Sequence, residues 1–347
     1  MADRVISLIL AIATLSIAEA SLIGRARAEI TYEGKTITVV TSTGIGGTYD
    51  VLSRSISRHM PRYIPGKPTM IVQNMPGAGN VLATNYMYNL APKDGTAMAV
   101  VHAAMPLHQV LDGRGVRYDA SRFNWLGSTG PENEVIIVWS TAGIRTIDDA
   151  RKREVILGAT GEGSGIFILP MAMNHVLGTR FKVVIGYKSS EDVNLAMQRG
   201  EVQGRAFGLD SIRAQHPDWL RNKTIDVIAQ AGVKRDNAIA DVPLLTELAT
   251  SEEDRELMAL ISSPAGLGHP YLVPPGTPLE RITLLRQAFL ATVSDKSFLD
   301  ETARLGLRIE PMGAGEVTKI VTETISTPSA AVAKAKTAIR QTDSRDK

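Results

Sequence analysis

Three glycine-rich turns hold the most chemically suggestive residues of this chain. They are Gly44-Ile45-Gly46-Gly47-Thr48-Tyr49-Asp50, Pro76-Gly77-Ala78-Gly79-Asn80 and Thr160-Gly161-Glu162-Gly163-Ser164-Gly165. Each follows a short apolar run and precedes a helical pattern. Glycine allows a sharp turn and close approach to the main chain. The helix that follows presents unpaired N–H groups and partial positive charge to whatever sits in the turn. Three such turns could converge on one small anion. In the first, the N–H groups of residues 46–48 are the expected donors.

Other chemistries fail on pattern. The first turn lacks the Gly-Lys-Ser/Thr of a phosphate loop, and Tyr49 stands where a dinucleotide turn needs its third glycine. Ser164 is flanked two residues away by Glu162 and Ile166, not by the glycines of a nucleophile elbow. A periplasmic hydrolase built on Ser164 or a carboxylate therefore lacks its motif, and no catalytic residue is assigned. Ser164 and Thr160 are read as hydroxyl donors to a carboxylate. Asp50 either complements the start of its helix or accepts a hydrogen bond from a ligand. Asn74 is expected to brace the second turn. Arg205 either forks onto a ligand carboxylate or forms a structural ion pair. The six histidines, His59, His102, His108, His175, His216 and His269, show no metal-ligand spacing. Neither metal nor cofactor is expected.

The elements that must position these turns alternate. Strands are expected at Ile37–Val40, Met70–Gln73, Thr96–Val101, Glu134–Trp139, Val155–Gly158, Val183–Gly186, Glu201–Phe207 and Ile225–Ala229. Helices are expected between them, with a long one at Pro278–Val293 and further ones at Phe298–Leu305, Gly315–Ile325 and Ser329–Ile339. Such alternation argues an α/β protein with parallel sheets. Gly-rich stretches at Asn124–Pro131 and Ile261–His269 read as two crossings between lobes. The expected lobes are 29–130 plus 262–347, and 131–261. The first two turns would then face the third across a cleft.

The chain of 347 residues is 44% hydrophobic and 21% charged, a globular composition. Arg4, the apolar run Val5–Ile17 and Ala26-Arg27-Ala28 read as an export signal over 1–28, too short in its apolar run to span a bilayer. Removing it takes three basic and two acidic residues, so the net charge falls from +2 to +1. That leaves no field for nucleic acid. There is no cysteine, hence no disulfide and no lipid anchor on a thiol. A soluble periplasmic monomer is expected.

Gly46-Gly47-x-x-Asp50, Gln73-Asn74-Met75-Pro76-Gly77-Ala78-Gly79 and Ala91-Pro92-Lys93-Asp94-Gly95-Thr96 occur in that order behind the signal. Gly161–Ser164, Gly186-Tyr187-Lys188, Asp241-Val242-Pro243 and Pro274–Pro278 follow. In order and spacing, the chain resembles the Bug-type periplasmic receptors of tripartite tricarboxylate transporters. The resemblance implies a two-lobed, type II-like periplasmic-binding-protein fold that closes on a small carboxylate. It implies main-chain donors at Gly44–Thr48 and Pro76–Asn80, with the Thr160–Gly165 turn and the Tyr187 region opposite. It also implies membrane partners, a large multi-span permease subunit and a small one. A sensor presenting the bound solute to a signalling partner would look the same. Three departures bear on ligand choice. Ile45 replaces a usual proline, Ser189 a usual glycine, and Arg205 to Gly208 a strand end that is often acidic.

Overall fold

The computed structural model describes residues 31–111, 113–162 and 164–340. The expected export signal, Gly163 and the polar tail 341–347 lie outside the described residues.

Two sheets carry the fold. The first runs β11(Met312–Gly313)-β4(Asn124–Ser128)-β10(Pro270–Val273)-β3(Ala97–Val100)-β1(Thr36–Thr41)-β2(Thr69–Asn74). The second runs β7(Phe181–Ile185)-β6(Val155–Ala159)-β8(Gly204–Gly208)-β5(Glu134–Trp139)-β9(Ile225–Ala231). In the first sheet β1 pairs in parallel with β2 and β3, placing Val40 beside Gln73 and Ala99. In the second, β6 pairs in parallel with β7 and β8. The α/β class expected from the alternating pattern is borne out. Parallel strands all end on one edge, and ligands of open α/β sheets bind outside that edge. The first two glycine turns leave β1 and β2 there, and the third leaves β6.

The helices cover the sheet faces with apolar residues. Ile37, Val39, Leu52 and Ile56 are fully buried around β1 and the Thr48–His59 helix. In the second core, Phe167, Ile168 and Met173 of the Gly165–Leu177 helix pack on Val155 and Leu157 of β6.

Three strands escape the sequence reading. Asn124–Ser128, read there as part of a crossing, is β4, sandwiched between β10 and β11 with every pair antiparallel. The chain crosses to the second sheet just after it and returns just before β10. At that point Glu132 N donates to Ala265 O at 2.9 Å. Gly130 and Gly268 meet back to back, and a Cβ on Gly268 would lie 1.7 Å from Gly130 O. The last helix, Ser329–Ala338, departs from the lobe expected for it. Its Ala335 and Ala338 sit in the second-sheet core with Met171 and Leu257, while Leu107 and Leu111 join that core from the first-sheet side.

Candidate functional site

The first turn is built by its own buried acid. Gly47 begins the Thr48–His59 helix with no side-chain cap. Asp50 accepts from Gly46 N at 3.0 Å, Arg54 Nε at 3.0 Å and Asn74 Nδ2 at 2.9 Å. Burial opposes its charge, but the hydrogen bonds from Arg54, Gly46 and Asn74 win and hold its carboxyl below the ordinary range. Asn74 also donates to Thr43 O at 3.1 Å. Asp50 therefore braces the loop from beneath, and Asn74 ties the β1 and β2 turns together.

This bracing redistributes the donors expected at residues 46–48. The Gly46 N–H goes to Asp50. The Thr48 N–H goes to Gln215 of the opposite lobe, whose amide oxygen faces it at 2.9 Å while Nε2 donates to Glu191 at 2.8 Å. Thr48 Oγ1 donates to Ser211 Oγ at 2.7 Å, a second bond across the lobes. Among the described residues only Gly47 of the three keeps an N–H without an acceptor.

The second turn is a left-handed arc. Gly77, Ala78, Gly79 and Asn80 have φ of 148°, 47°, 61° and 78° in succession. Asn80 N closes onto Gly77 O at 3.0 Å. Among the described residues the N–H groups of Ala78 and Gly79 have no acceptor. The third turn meets this arc directly, since a Cβ on Gly161 would lie 3.5 Å from Gly79 N. On the other flank a Cβ on Gly44 would lie 3.3 Å from Ser189 Cβ. Arg114 and Glu162 add an ion pair at 2.6 Å across the same seam.

These turns enclose a cavity of about 290 Å³. Gly44, Ile45, Gly47, Pro76, Gly77, Ala78, Gly79, Asn80, Thr160, Ser164, Tyr187 and Arg205 line it, all singled out from the sequence. Thr48 lines a smaller chamber of about 100 Å³ behind it. Gly46, Asp50 and Gly161 line neither, and act through the loops they shape. Two expected donors are already committed. Ser164 is buried and its Oγ donates to Gly161 O at 2.5 Å, closing its own turn. Arg205 is 1% exposed. Its Nε donates to Ala206 O, Nη1 to Ser190 O and Asn194 Oδ1, and Nη2 to Ser190 Oγ. Of five guanidinium N–H groups, one on Nη2 remains, so a two-pronged fork onto a ligand is not available, and among the described residues no acid stands within ion-pair distance either. Burial lowers its pKa to about 10, so it stays charged. The neighbouring Asp210 is paired with Arg213 at 2.7 Å.

Several lining residues were not anticipated. His102 follows β3, the third parallel strand of the first sheet, and lines both chambers. Its Nδ1 accepts from Ala104 N at 3.2 Å. Burial pushes its pKa down to about 4, with His269 adding to the shift. The ring is therefore neutral with its proton on Nε2, an additional donor. The position after a third parallel strand was the signal that could have revealed it. Glu134, first residue of β5, lines the inner chamber. Read as an apolar strand, that segment concealed its acid.

Carboxyl ends of parallel strands from two sheets, facing each other across a cavity with two chain crossings behind it, define a periplasmic-binding-protein fold. The solved structures agree. BugD, a periplasmic binding protein, matches with a TM-score of 0.70 at 19% identity over 88% of this chain and 98% of that one. MatC from Rhodopseudomonas palustris with bound malate matches at 0.69 and 18%, over 88% and 99%. An R. palustris protein with adipate matches at 0.66 and 20%, over 87% and 97%. By sequence the chain is similar along most of its length to two UPF0065 proteins. One from Cupriavidus necator is 23% identical over 335 residues, covering 94% of each. One from Bordetella bronchiseptica is 24% identical over 294 residues, covering 82% of this chain and 78% of that one. The family resemblance read from the motifs is thereby borne out. No family model matches the chain.

Proposed function

We propose that this protein captures a small carboxylated solute in the periplasm and delivers it to a tripartite tricarboxylate-type transporter of one large and one small membrane subunit. One observation carries the reading. Free main-chain N–H groups of Gly47, Ala78 and Gly79 meet in a cavity whose other wall belongs to the opposite lobe. Such donors suit an anion and supply no chemistry to transform it. The malate and adipate bound by structural neighbours belong to the same chemical class. Ligand that touches both lobes favours the closed arrangement, the form a membrane partner can distinguish. The protein acts as a binding protein and not as an enzyme, and releases its ligand unchanged.

A thermal-shift screen of mono-, di- and tricarboxylates tests this. Ligand at a hundred times its Kd adds about 2.7 kcal/mol to the native state. At about 2–4 °C per kcal/mol, at least one carboxylate is expected to raise Tm by several degrees and to be recovered intact. No shift with any carboxylate, or turnover of the one that binds, contradicts the proposal.

A further inference from the structure

The inner chamber restricts which carboxylates fit. It adjoins the larger cavity, the two sharing Thr43, Gly47, His102, Ile166, Ser190 and Arg205 in their walls. A ligand held at the glycine turns and long enough to pass those shared walls would bring its far end to Glu134.

Glu134 sits where β5 begins, paired with Gly208 of β8. Its carboxylate lies over Gly165 at the start of a helix, and a Cβ there would be 2.9 and 3.0 Å from its two oxygens. Glycine at 165 is what makes room for the acid. Among the described residues neither oxygen of Glu134 has a hydrogen-bond or ion-pair partner.

The other acids of these walls are occupied. Glu132 accepts from Ser211 N at 3.0 Å and Ser211 Oγ at 3.1 Å, and lies 3.2 Å from His269. Glu191 receives Asn194 at 3.3 Å and Gln215 at 2.8 Å. The nearby cation is spent too, with Arg205 keeping a single free N–H and resting on the Phe207 ring at 4.1 Å. His102 brings no charge. A second ligand carboxylate in this chamber would face the unpartnered Glu134 at close range, with the Arg205 charge, its one free N–H and His102 Nε2 as the groups left to offset it.

We propose that Glu134 is an acceptor subsite, and that the ligand is a carboxylate whose far end carries a nitrogen hydrogen-bond donor, an ammonium or a primary amide. This rests on the carboxylate reading above and narrows it. The state of the unliganded acid agrees with it. Burial first, then the neighbouring Glu132, push Glu134 up to about 7 against the pull of Arg205. A carboxyl short of donors behaves so, and a ligand N–H supplies what is missing.

Matched probes test the proposal by calorimetry at pH 8, in three chain lengths. They are succinate, glutarate and adipate, their monoamides, and the amino acids with an ammonium replacing the second carboxylate. At the best-fitting length, an amide or ammonium member is expected to bind at least tenfold tighter than the dicarboxylate. In Glu134→Gln, whose side chain can donate as well as accept, that preference is expected to shrink at least tenfold. A dicarboxylate that binds as tightly as its nitrogen counterparts in the wild type overturns the inference and leaves the carboxylate reading standing. An unchanged preference in Glu134→Gln overturns it likewise. If the variant does not fold, the wild-type ranking decides alone. Failure of every probe and of the wider carboxylate screen overturns both readings.

Discussion

Ala78→Asp is expected to weaken carboxylate binding at least a hundredfold while changing the unfolding free energy by less than about 1 kcal/mol. Ala78 is exposed and already left-handed, with φ at 47°. Aspartate tolerates that conformation better than most residues, so the arc is kept. The new carboxylate would stand beside the N–H groups of Ala78 and Gly79, where the ligand's own carboxylate is proposed to lie. Two unit charges about 4 Å apart repel by about 4 kcal/mol at the effective dielectric of a protein surface. A hundredfold loss needs about 2.7 kcal/mol, so the repulsion suffices even after partial screening. Ala78→Asn adds the same bulk without charge and is expected to lose less than tenfold. Calorimetry on the pair separates the two causes. Equal losses in both variants would mean that size, not anion recognition, governs this position.

The second large effect lies at the crossing. Gly268→Ala is expected to cost roughly 3–5 kcal/mol of folding stability, combining backbone strain with a steric clash. Its φ is 56°, and the added Cβ would fall 1.7 Å from Gly130 O, a main-chain atom with nowhere to retreat. Gly130 is itself held at φ 126° with Glu310 against it. Gly178→Ala provides the comparison. It has φ 68° but nothing within 4 Å of its Cβ position, so only the backbone cost of about 1 kcal/mol applies. Urea unfolding of the two variants measures the difference. Equal losses would show that the crossing strands are not packed as closely as described. The same contact explains why a glycine pair stands where the chain passes twice between the sheets.

Much of this site was legible in the sequence because its parts are local. A strand, a glycine turn and a helix start occupy about a dozen residues, and the turn chemistry depends on residues inside that window. The turns after β1, β2 and β6 were therefore recognisable, and twelve of the residues chosen from them and their surroundings line the cavity. What escaped depends on distant partners. β4 is only five residues long and its hydrogen bonds go to Pro270–Val273 and Met312–Gly313, far along the chain. Its glycines looked like a linker because nothing nearby revealed the neighbours that keep it a strand. The last helix, alanine-rich, has no strong apolar stripe, and sequence spacing does not say which core receives Ala335 and Ala338.

Side-chain roles failed for the same reason. Arginine in a neutral strand suggests a ligand partner, yet Ser190 and Asn194, brought in by the preceding helix Ser190–Gln198, take most of the Arg205 donors. Ser164 spends its hydroxyl proton three residues back on Gly161. Residue type revealed that donors were present. Only the packed structure revealed which of them were already taken.

A ligand carboxylate is proposed to sit on the free N–H groups of Gly47, Ala78 and Gly79. Backbone amide NMR on the nitrogen-15-labelled protein tests it most directly, titrating in the carboxylate that gives the largest thermal shift. These three amides are expected to show the largest downfield proton shifts at saturation. The amides of Gly46 and Thr48, already bonded to Asp50 and Gln215, are expected to move less. Large shifts confined to other residues, with these three unmoved at saturation, would contradict it.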